Sequence, residues 1–105
     1  MKETQMLKGI LEGCVLQVIA EKESYGYELV QTLRASGFPH MVGGTVYPLL
    51  QKLEKQELIE GINRPSPDGP DRKYFSLTEQ GKGELQRFWQ QWTELVDKVN
   101  QLKGE

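Results

Sequence analysis

Few of the residue types that form metal centres, disulfides or membrane spans occur in this 105-residue sequence. It contains one cysteine, Cys14, and one histidine, His40, which excludes an internal disulfide and a His/Cys metal site. No apolar run approaches the roughly 18 residues of a membrane-spanning helix, and residues 1–5 lack the apolar stretch of a signal peptide. We therefore expect a cytoplasmic protein with no membrane contact, no metal and no cofactor.

The sequence also lacks a large excess of basic or acidic residues. Residues 1–34 carry four basic and five acidic groups, residues 35–78 five and five, and residues 79–105 four and five, for a net charge of −2. This excludes a uniformly basic protein that wraps nucleic acid, but it permits a local contact face assembled by the fold. The hydrophobic content of 37% is sufficient for the core of one domain. A domain of this size buries only about 60–65% of its unfolded surface, so a second chain can contribute to its core.

The first apolar segment has the period of a helix. Apolar residues recur at steps of three and four over residues 6–20, with Leu16, Gly9 and Gly13 outside the apolar arc. A helix that is apolar over so much of its circumference needs a large core or a partner. The pattern therefore favours burial against a second subunit, and the alternative is a central core helix of a monomer.

Two further helices follow. Ser24 is placed to cap a helix that Gly37 ends, and Thr45 is placed to cap another, with Pro48 in its first turn. The latter helix has an apolar inward side and a polar outward side. The inward residues are Val46, Leu49, Leu50 and Leu53, and the outward residues are Tyr47, Gln51, Lys52 and Lys55. The outward side is either a contact surface or merely solvated.

Residues 58–64 and 72–77 have the composition of two strands. The proline-rich residues 65–71 between them predict a projecting, unpaired loop, flanked by Arg64, Arg72 and Lys73. Three helices followed by a strand hairpin are typical of a winged helix-turn-helix. In that arrangement the third helix enters the DNA major groove and the hairpin, called the wing, contacts the DNA backbone.

The last helix begins at Thr78, and its apolar residues follow a heptad spacing. They are Leu85, Phe88, Trp92, Leu95, Val99 and Leu102. Trp89 and Val96 widen this stripe. We expect the chain to be too small to cover it, so the helix should pack on another protomer. The predicted fold is therefore mainly α with a β-hairpin wing, divided into a winged helix-turn-helix domain at residues 1–78 and a dimerisation helix at residues 79–105.

Four blocks of sequence carry a resemblance to a known family. They are residues 25–29 (YGYEL), 44–50 (GTVYPLL), 53–54 with 58–59 (LE and LI), and 72–81 (RKYFSLTEQG). With these blocks at these spacings, nearly the whole chain closely resembles the PadR family of bacterial transcriptional regulators. The single C-terminal helix is similar to that of the small subfamily that includes multidrug-sensing repressors. The larger C-terminal domain of the phenolic-acid-sensing members is absent.

The resemblance implies a homodimeric repressor that binds a pseudo-palindromic operator and dimerises through its first and last helices. The residues it implies for double-stranded DNA are Thr45, Tyr47, Gln51, Lys52 and Lys55 on the third helix and Arg64, Arg72 and Lys73 on the wing. Those it implies for the dimer interface are Leu7, Ile10, Leu85, Phe88, Trp92, Leu95, Val99 and Leu102. We expect most of the affinity to come from phosphate contacts and to fall with salt. We expect the two recognition helices to lie about 34 Å apart.

The resemblance also implies a small-molecule site. In the drug-sensing relatives, a tryptophan of the last helix stacks on planar aromatic ligands at the dimer centre, and Trp92 matches it by its spacing from the LTxxG block. The implied ligand residues are Met6, Gly9, Gly13, Trp89 and Trp92. Planar, hydrophobic molecules suit stacking between two indole rings. The alternative is that Trp92 fills the dimer core.

Other functions find less support in the sequence. It shows no nucleophile–base pairing, no phosphate-binding glycine loop and no ligand cluster, so we do not expect an enzyme. A winged-helix module that binds a protein partner without reading DNA is the alternative function, because no segment is strongly basic. The position of Cys14 on the first helix favours a small core residue over a redox switch. His40 is either a solvated loop residue or a phosphate contact.

Overall fold

The computed structural model describes residues 1–104, which form five helices and three strands. The helices are α1 (Glu3–Leu7), α2 (Leu11–Glu21), α3 (Gly26–Ala35), α4 (Gly43–Lys55) and α5 (Glu79–Lys103), and the strands are β1 (Ser24–Tyr25), β2 (Ile59–Ser66) and β3 (Gly69–Leu77). The strands form one antiparallel sheet in the order β1-β3-β2. Helices α3 and α4 form the helix-turn-helix and the β2–β3 hairpin is the wing. This confirms the predicted fold class.

Helix α2 is the centre of the core. Val15 is fully buried, and Leu16, which the period of the sequence placed outside the apolar arc, is only 2% exposed. The helix packs on α3, on β3 and on the first part of α5. Three other elements of the chain therefore bury much of the apolar side of α2 without a second subunit, while Ile10, Cys14 and Val18 stay half-exposed. Contact of this helix with a partner chain stays a prediction.

The helix predicted over residues 6–20 is interrupted. Lys8, Gly9 and Ile10 form a turn between α1 and α2, in which the Ile10 N–H donates to the Leu7 carbonyl at 2.9 Å. Glycine lowers helix propensity by about 1 kcal/mol relative to alanine, and Gly9 has open space around its Cα. The helix is therefore interrupted at Gly9, although the apolar period of the sequence continues through residues 8–10.

Helix α3 begins later than predicted. Ser24 is not its cap, because this residue lies in β1, 2% exposed, and its hydroxyl donates to the Lys22 carbonyl at 2.8 Å. Tyr25 is the N-cap instead. At the other end, Gly37 follows the C-cap with φ +120°, as predicted for a helix-ending glycine.

Helix α4 begins two residues before Thr45, with Val42 as its N-cap. Thr45 is therefore within the first turn rather than the cap, and Pro48 lies inside the helix rather than at its start. Proline has no N–H, so the carbonyl of Gly44 lacks its usual helical donor. This missing bond is tolerated because residues 44 and 48 are exposed to solvent.

The wing is longer than predicted. Strands β2 and β3 pair as far as Ser66 and Gly69, leaving a two-residue turn at 67–68. Residues 65–71 therefore do not form an unpaired loop. Pro65 cannot donate to the ladder, and the register shifts at this point, between Arg64 and Ser66. Gly69, with φ +150°, provides a backbone conformation that other residues rarely adopt.

The N-terminal end of helix α5 is held against the segment between α4 and β2. The Thr78 hydroxyl accepts a bond from the Gly81 N–H at 3.0 Å, which confirms the predicted cap, and donates to the Glu57 carbonyl at 2.7 Å. Gly81 is buried so tightly that a Cβ at this position would overlap the carbonyl oxygen of Leu58. None of the helices in residues 1–104 combines the length and apolar character needed to cross a bilayer.

Candidate nucleic-acid interface

The polar side of α4 is exposed, as predicted. Its apolar residues Val46, Leu50 and Leu53 are buried in the core. The opposite side presents Thr45, Tyr47, Gln51, Lys52 and Lys55 to solvent. The core thus fixes the orientation of α4 and leaves free the side that a winged helix-turn-helix turns toward DNA.

Tyr47 is held between two glycines that the sequence did not single out. A Cβ built on Gly26 would lie 2.9 Å from Cε1 of the Tyr47 ring, and one built on Gly43 would lie 2.7 Å from Cε2. Only residues without a side chain let the ring lie so close to the starts of α3 and α4. The outer part of Tyr47 remains 44% exposed.

A groove of about 380 Å³ separates the recognition helix from the wing. Tyr25, Tyr27 and Tyr47 line it, together with Gln51 and Glu54 of α4. Arg72 and Lys73 of β3 line it as well. Of the eight residues predicted to contact DNA, four line this groove, namely Tyr47, Gln51, Arg72 and Lys73. Thr45 lines a separate cavity beside α1 and the α3–α4 loop.

Aromatic rings hold the two wing arginines. Arg64 and Arg72 are directly opposite in the β2–β3 ladder and so share one face of the sheet. The Arg64 guanidinium lies 5.0 Å above the centre of the Tyr74 ring, and that of Arg72 lies 4.6 Å above Tyr25. The two tyrosine rings pack edge to face, 5.3 Å between centres. We call these four side chains the arginine–tyrosine stack; it ties the wing to the N-cap of α3.

Four of the basic residues predicted to contact DNA are paired with carboxylates, of which the sequence pointed only to Asp68, close to Arg72 in the wing. The pairs and their N···O distances are Lys52–Glu12 (2.7 Å), Arg64–Glu23 (3.0 Å), Lys73–Glu54 (2.8 Å) and Arg72–Asp68 (3.4 Å). These side chains are partly exposed, so each pair stabilises the fold by at most about 1 kcal/mol and can open. The local positive charge of this surface is therefore largely compensated within the chain.

The apolar side of α5 changes along its length. Near its start, the Phe88 ring occupies the space above Gly13, where a Cβ would overlap it, and the Trp89 indole N–H donates to Gln17 Oε1 at 2.8 Å. The chain thus covers part of the aromatic stripe itself, contrary to expectation. Farther along, the apolar residues are open: Trp92 is 37%, Leu95 52%, Val99 54% and Leu102 90% exposed.

Several residues predicted for the dimer interface already pack within the chain. Leu7 is a core residue with 8% exposure, and Ile10, Leu85 and Phe88 are half-buried. Leu7 therefore has almost no surface left to offer a partner. Leu7 fitted the spacing expected of an interface because the core side and the interface side of a helix have the same period of apolar residues.

The residues predicted for a ligand site fall into two groups. Met6 is 66% exposed and the space beside Gly9 is open, whereas Gly13 is covered by Phe88. Gly13 therefore leaves no room for a ligand, which corrects that part of the prediction. Trp89 and Trp92 are both exposed on α5.

The remaining candidates are less central. Cys14 is half-buried, and this burial raises the pKa of its thiol above the ordinary value. A raised pKa keeps the thiol protonated and unreactive, as expected of a packing residue rather than a redox switch. His40 is exposed in the loop between α3 and α4.

Comparison with known proteins assigns this arrangement to a family. Residues 15–87, which include the helix-turn-helix, the wing and the start of α5, match the Transcriptional regulator PadR-like family. The chain belongs to the PadR-like family. This confirms the resemblance drawn from the four sequence blocks. A PadR-like regulator acts by binding DNA, so DNA is the partner of this protein and catalysis is not its function.

Solved structures of similar proteins agree with the family, and one curated relative covers nearly the whole chain. A Streptococcus transcriptional regulator is 64% identical, with a TM-score of 0.86 over 96% of this chain and 99% of that one. A PadR-like transcriptional regulator from Bacillus cereus is 44% identical, with a TM-score of 0.85 over 96% and 98%. A Lysinibacillus sphaericus protein, described as uncharacterized, is 32% identical over 95% of this chain and 94% of its own length.

Proposed function

We propose that this PadR-like regulator is a homodimeric, cytoplasmic repressor of a pseudo-palindromic operator. Base edges are read from α4 by Thr45, Tyr47 and Gln51, whereas Lys52, with Lys55 at the end of the helix, approaches a phosphate. Arg64 and Arg72 of the wing approach the DNA backbone. Each chain has one recognition helix, so two chains are needed to read the two half-sites of such an operator.

The exposed apolar side of α5 carries the proposal. Trp92, Leu95, Val99 and Leu102 continue the heptad spacing over the second half of the helix, and each is at least 37% exposed. A helix with such an open apolar side is stabilised when the same side of a second copy covers it. That pairing holds two recognition helices at a fixed distance, as a pseudo-palindrome requires.

The carboxylates paired with the basic residues of this surface should limit its affinity for DNA. A phosphate that approaches Lys52 or Arg64 must displace the carboxylate of Glu12 or Glu23. We therefore expect modest affinity for unrelated DNA and a salt dependence set by a few phosphate contacts per chain. Discrimination between sequences comes from α4.

Release of the operator by a planar, hydrophobic effector completes the proposed function. Trp92 is proposed as its stacking platform, because its indole ring is exposed in one chain and lies on the side of α5 that the second copy would meet, so that a planar molecule would stack between the two copies. Met6 and Gly9 offer further open surface on the N-terminal part of the chain. Gly13 is not part of this site, since Phe88 occupies its surroundings.

A combined test uses association and DNA binding. Sedimentation equilibrium at micromolar concentration should give twice the 12.0 kDa mass of one chain. Duplexes of 30 base pairs enriched from a random pool by the protein should share a pseudo-palindrome. Lys52→Ala should weaken binding to the enriched duplex and reduce the salt slope by about one unit.

Lys82→Ala is a matched control, because Lys82 has similar side-chain exposure and a similar carboxylate partner on α5. It should bind as the wild type does. A folded single chain at micromolar concentration, or failure to enrich any duplex, would contradict the proposal. The latter result would favour a winged-helix module that binds a protein.

A further inference from the structure

Lys73 lies on a different face of the wing from the two arginines. Successive side chains of a strand point to opposite faces. Arg72 and Tyr74, which belong to the arginine–tyrosine stack, therefore lie on one face of β3. Lys73 lies on the other face with Phe75, which is 7% exposed. Lys73 thus starts from the face of the hairpin that turns toward the core and toward α4.

Three contacts hold the Lys73 side chain against that face. Its Nζ donates to Oε1 of Glu54 at 2.8 Å and lies 5.7 Å from the centre of the Phe75 ring. Its aliphatic stem crosses Gly61, where a Cβ would overlap Cε and lie 2.8 Å from Cγ. The extended stem needs the bare backbone of Gly61 in order to reach Glu54.

The Lys73–Glu54 bond joins the two elements proposed to contact DNA. Glu54 is in the last turn of α4, three residues after Gln51, and Lys73 directly follows Arg72. The bond lies beside the groove between helix and wing, which both residues line. Its length therefore constrains the separation of Arg72 from the outward side of α4.

We propose that Lys73 and Glu54 are positioning residues: their ion pair sets the wing relative to the recognition helix, and Lys73 does not contact a phosphate. This rests on the DNA-binding surface proposed above and replaces the DNA-contact role that the family resemblance implied for Lys73. It also assigns a role to Gly61.

The proposal fixes the sign of one measurement. Removing a carboxylate near bound DNA ordinarily strengthens binding, because a phosphate then meets less repulsion. We expect this for Glu12→Gln, which frees the outward-facing Lys52. For Glu54→Gln we expect the opposite, about three- to fivefold weaker binding, the range of a partly exposed ion pair.

The experiment measures dissociation constants for the enriched 30-base-pair duplex over a series of KCl concentrations. Lys73→Met and Glu54→Gln should each weaken binding by the same factor and leave the salt slope of the wild type unchanged. Gly61→Ala, which alters no charge, should also weaken binding without changing the slope. Exchange of the pair, Glu54→Lys with Lys73→Glu, should bind more tightly than either of its single substitutions. Urea unfolding of each variant identifies any that fail to fold.

Other outcomes are distinct. A salt slope that falls by about one unit in Lys73→Met, or tighter binding by Glu54→Gln, shows that Lys73 is a phosphate contact and overturns the positioning role while the regulator proposal stands. If the wild type enriches no duplex, the proposed DNA-binding surface fails instead. If no duplex is enriched, urea unfolding still tests the ion pair. Additive effects of Lys73→Met and Glu54→Gln on the urea midpoint would show that the two side chains do not interact, and the positioning role would be rejected.

Discussion

Replacing Gly13 by alanine tests how α2 and α5 fit together. In the interior of a helix this change ordinarily stabilises by about 1 kcal/mol. Here the new methyl group would overlap three carbons of the Phe88 ring. The ring is held in turn, edge to face with Trp89 at 5.0 Å, whose indole is bonded to Gln17. Overpacking of this kind costs about 1–3 kcal/mol, so we expect Gly13→Ala to destabilise by about 1–2 kcal/mol.

The second substitution removes the obstacle. Phe88→Ala costs about 3–5 kcal/mol at a fully buried site, and about half of that here because the ring is half-buried. In this background the methyl group at position 13 has room, so Gly13→Ala should stabilise by about 1 kcal/mol. The two substitutions should therefore be coupled by about 2–3 kcal/mol, at the upper end for residues in contact.

Urea unfolding of the four proteins, followed by circular dichroism at one chain concentration, measures this coupling. Gly9→Ala is the matched control, because its methyl group meets open space. It should change stability by less than about 1 kcal/mol, in the stabilising direction, in both backgrounds. If Gly13→Ala destabilises equally with and without the Phe88 ring, the ring does not limit the space at position 13 and the reasoning fails.

The remaining predictions concern α5. Gly81→Ala should lower the Tm by about 10 °C or more in a thermal melt, since a methyl group overlaps the Leu58 carbonyl oxygen and costs more than about 2 kcal/mol. Gly83→Ala, whose methyl would lie 3.6 Å from the Arg87 guanidinium, should not lower it; equal losses would disprove the overlap. For the proposed effector site, the planar dye ethidium should quench tryptophan fluorescence, and Trp92→Ala should abolish most of the quenching. Unchanged quenching in that variant would remove Trp92 from the site.

The sequence was sufficient where one local rule decides the structure. The Thr78 cap, the helix-ending Gly37 and the two sides of α4 follow from capping chemistry and a 3.6-residue period, and all were predicted. Ser24 followed the same capping rule and the prediction was wrong. A two-residue strand has no period by which β1 could have been recognised, and pairing with β3 determines the position of Ser24.

The candidate interface was less predictable because its details depend on residues far apart in the chain. The partners Lys52 and Glu12 are separated by 40 positions, and Arg64 and Glu23 by 41. No spacing rule connects such positions. The exposed residues of α4 could be named from the sequence, but the carboxylates that neutralise them, and the glycines that seat Tyr47, required the fold.

The arginine–tyrosine stack has a thermodynamic consequence for DNA association. A long, freely rotating arginine loses rotational entropy when it is immobilised at an interface, typically about 0.5–1.5 kcal/mol per side chain. Arg64 and Arg72 already rest on Tyr74 and Tyr25 in the free protein, so much of this ordering takes place during folding. The two guanidinium groups of the wing should therefore already be ordered when the protein binds the duplex. They should add to the affinity with little further loss of side-chain entropy.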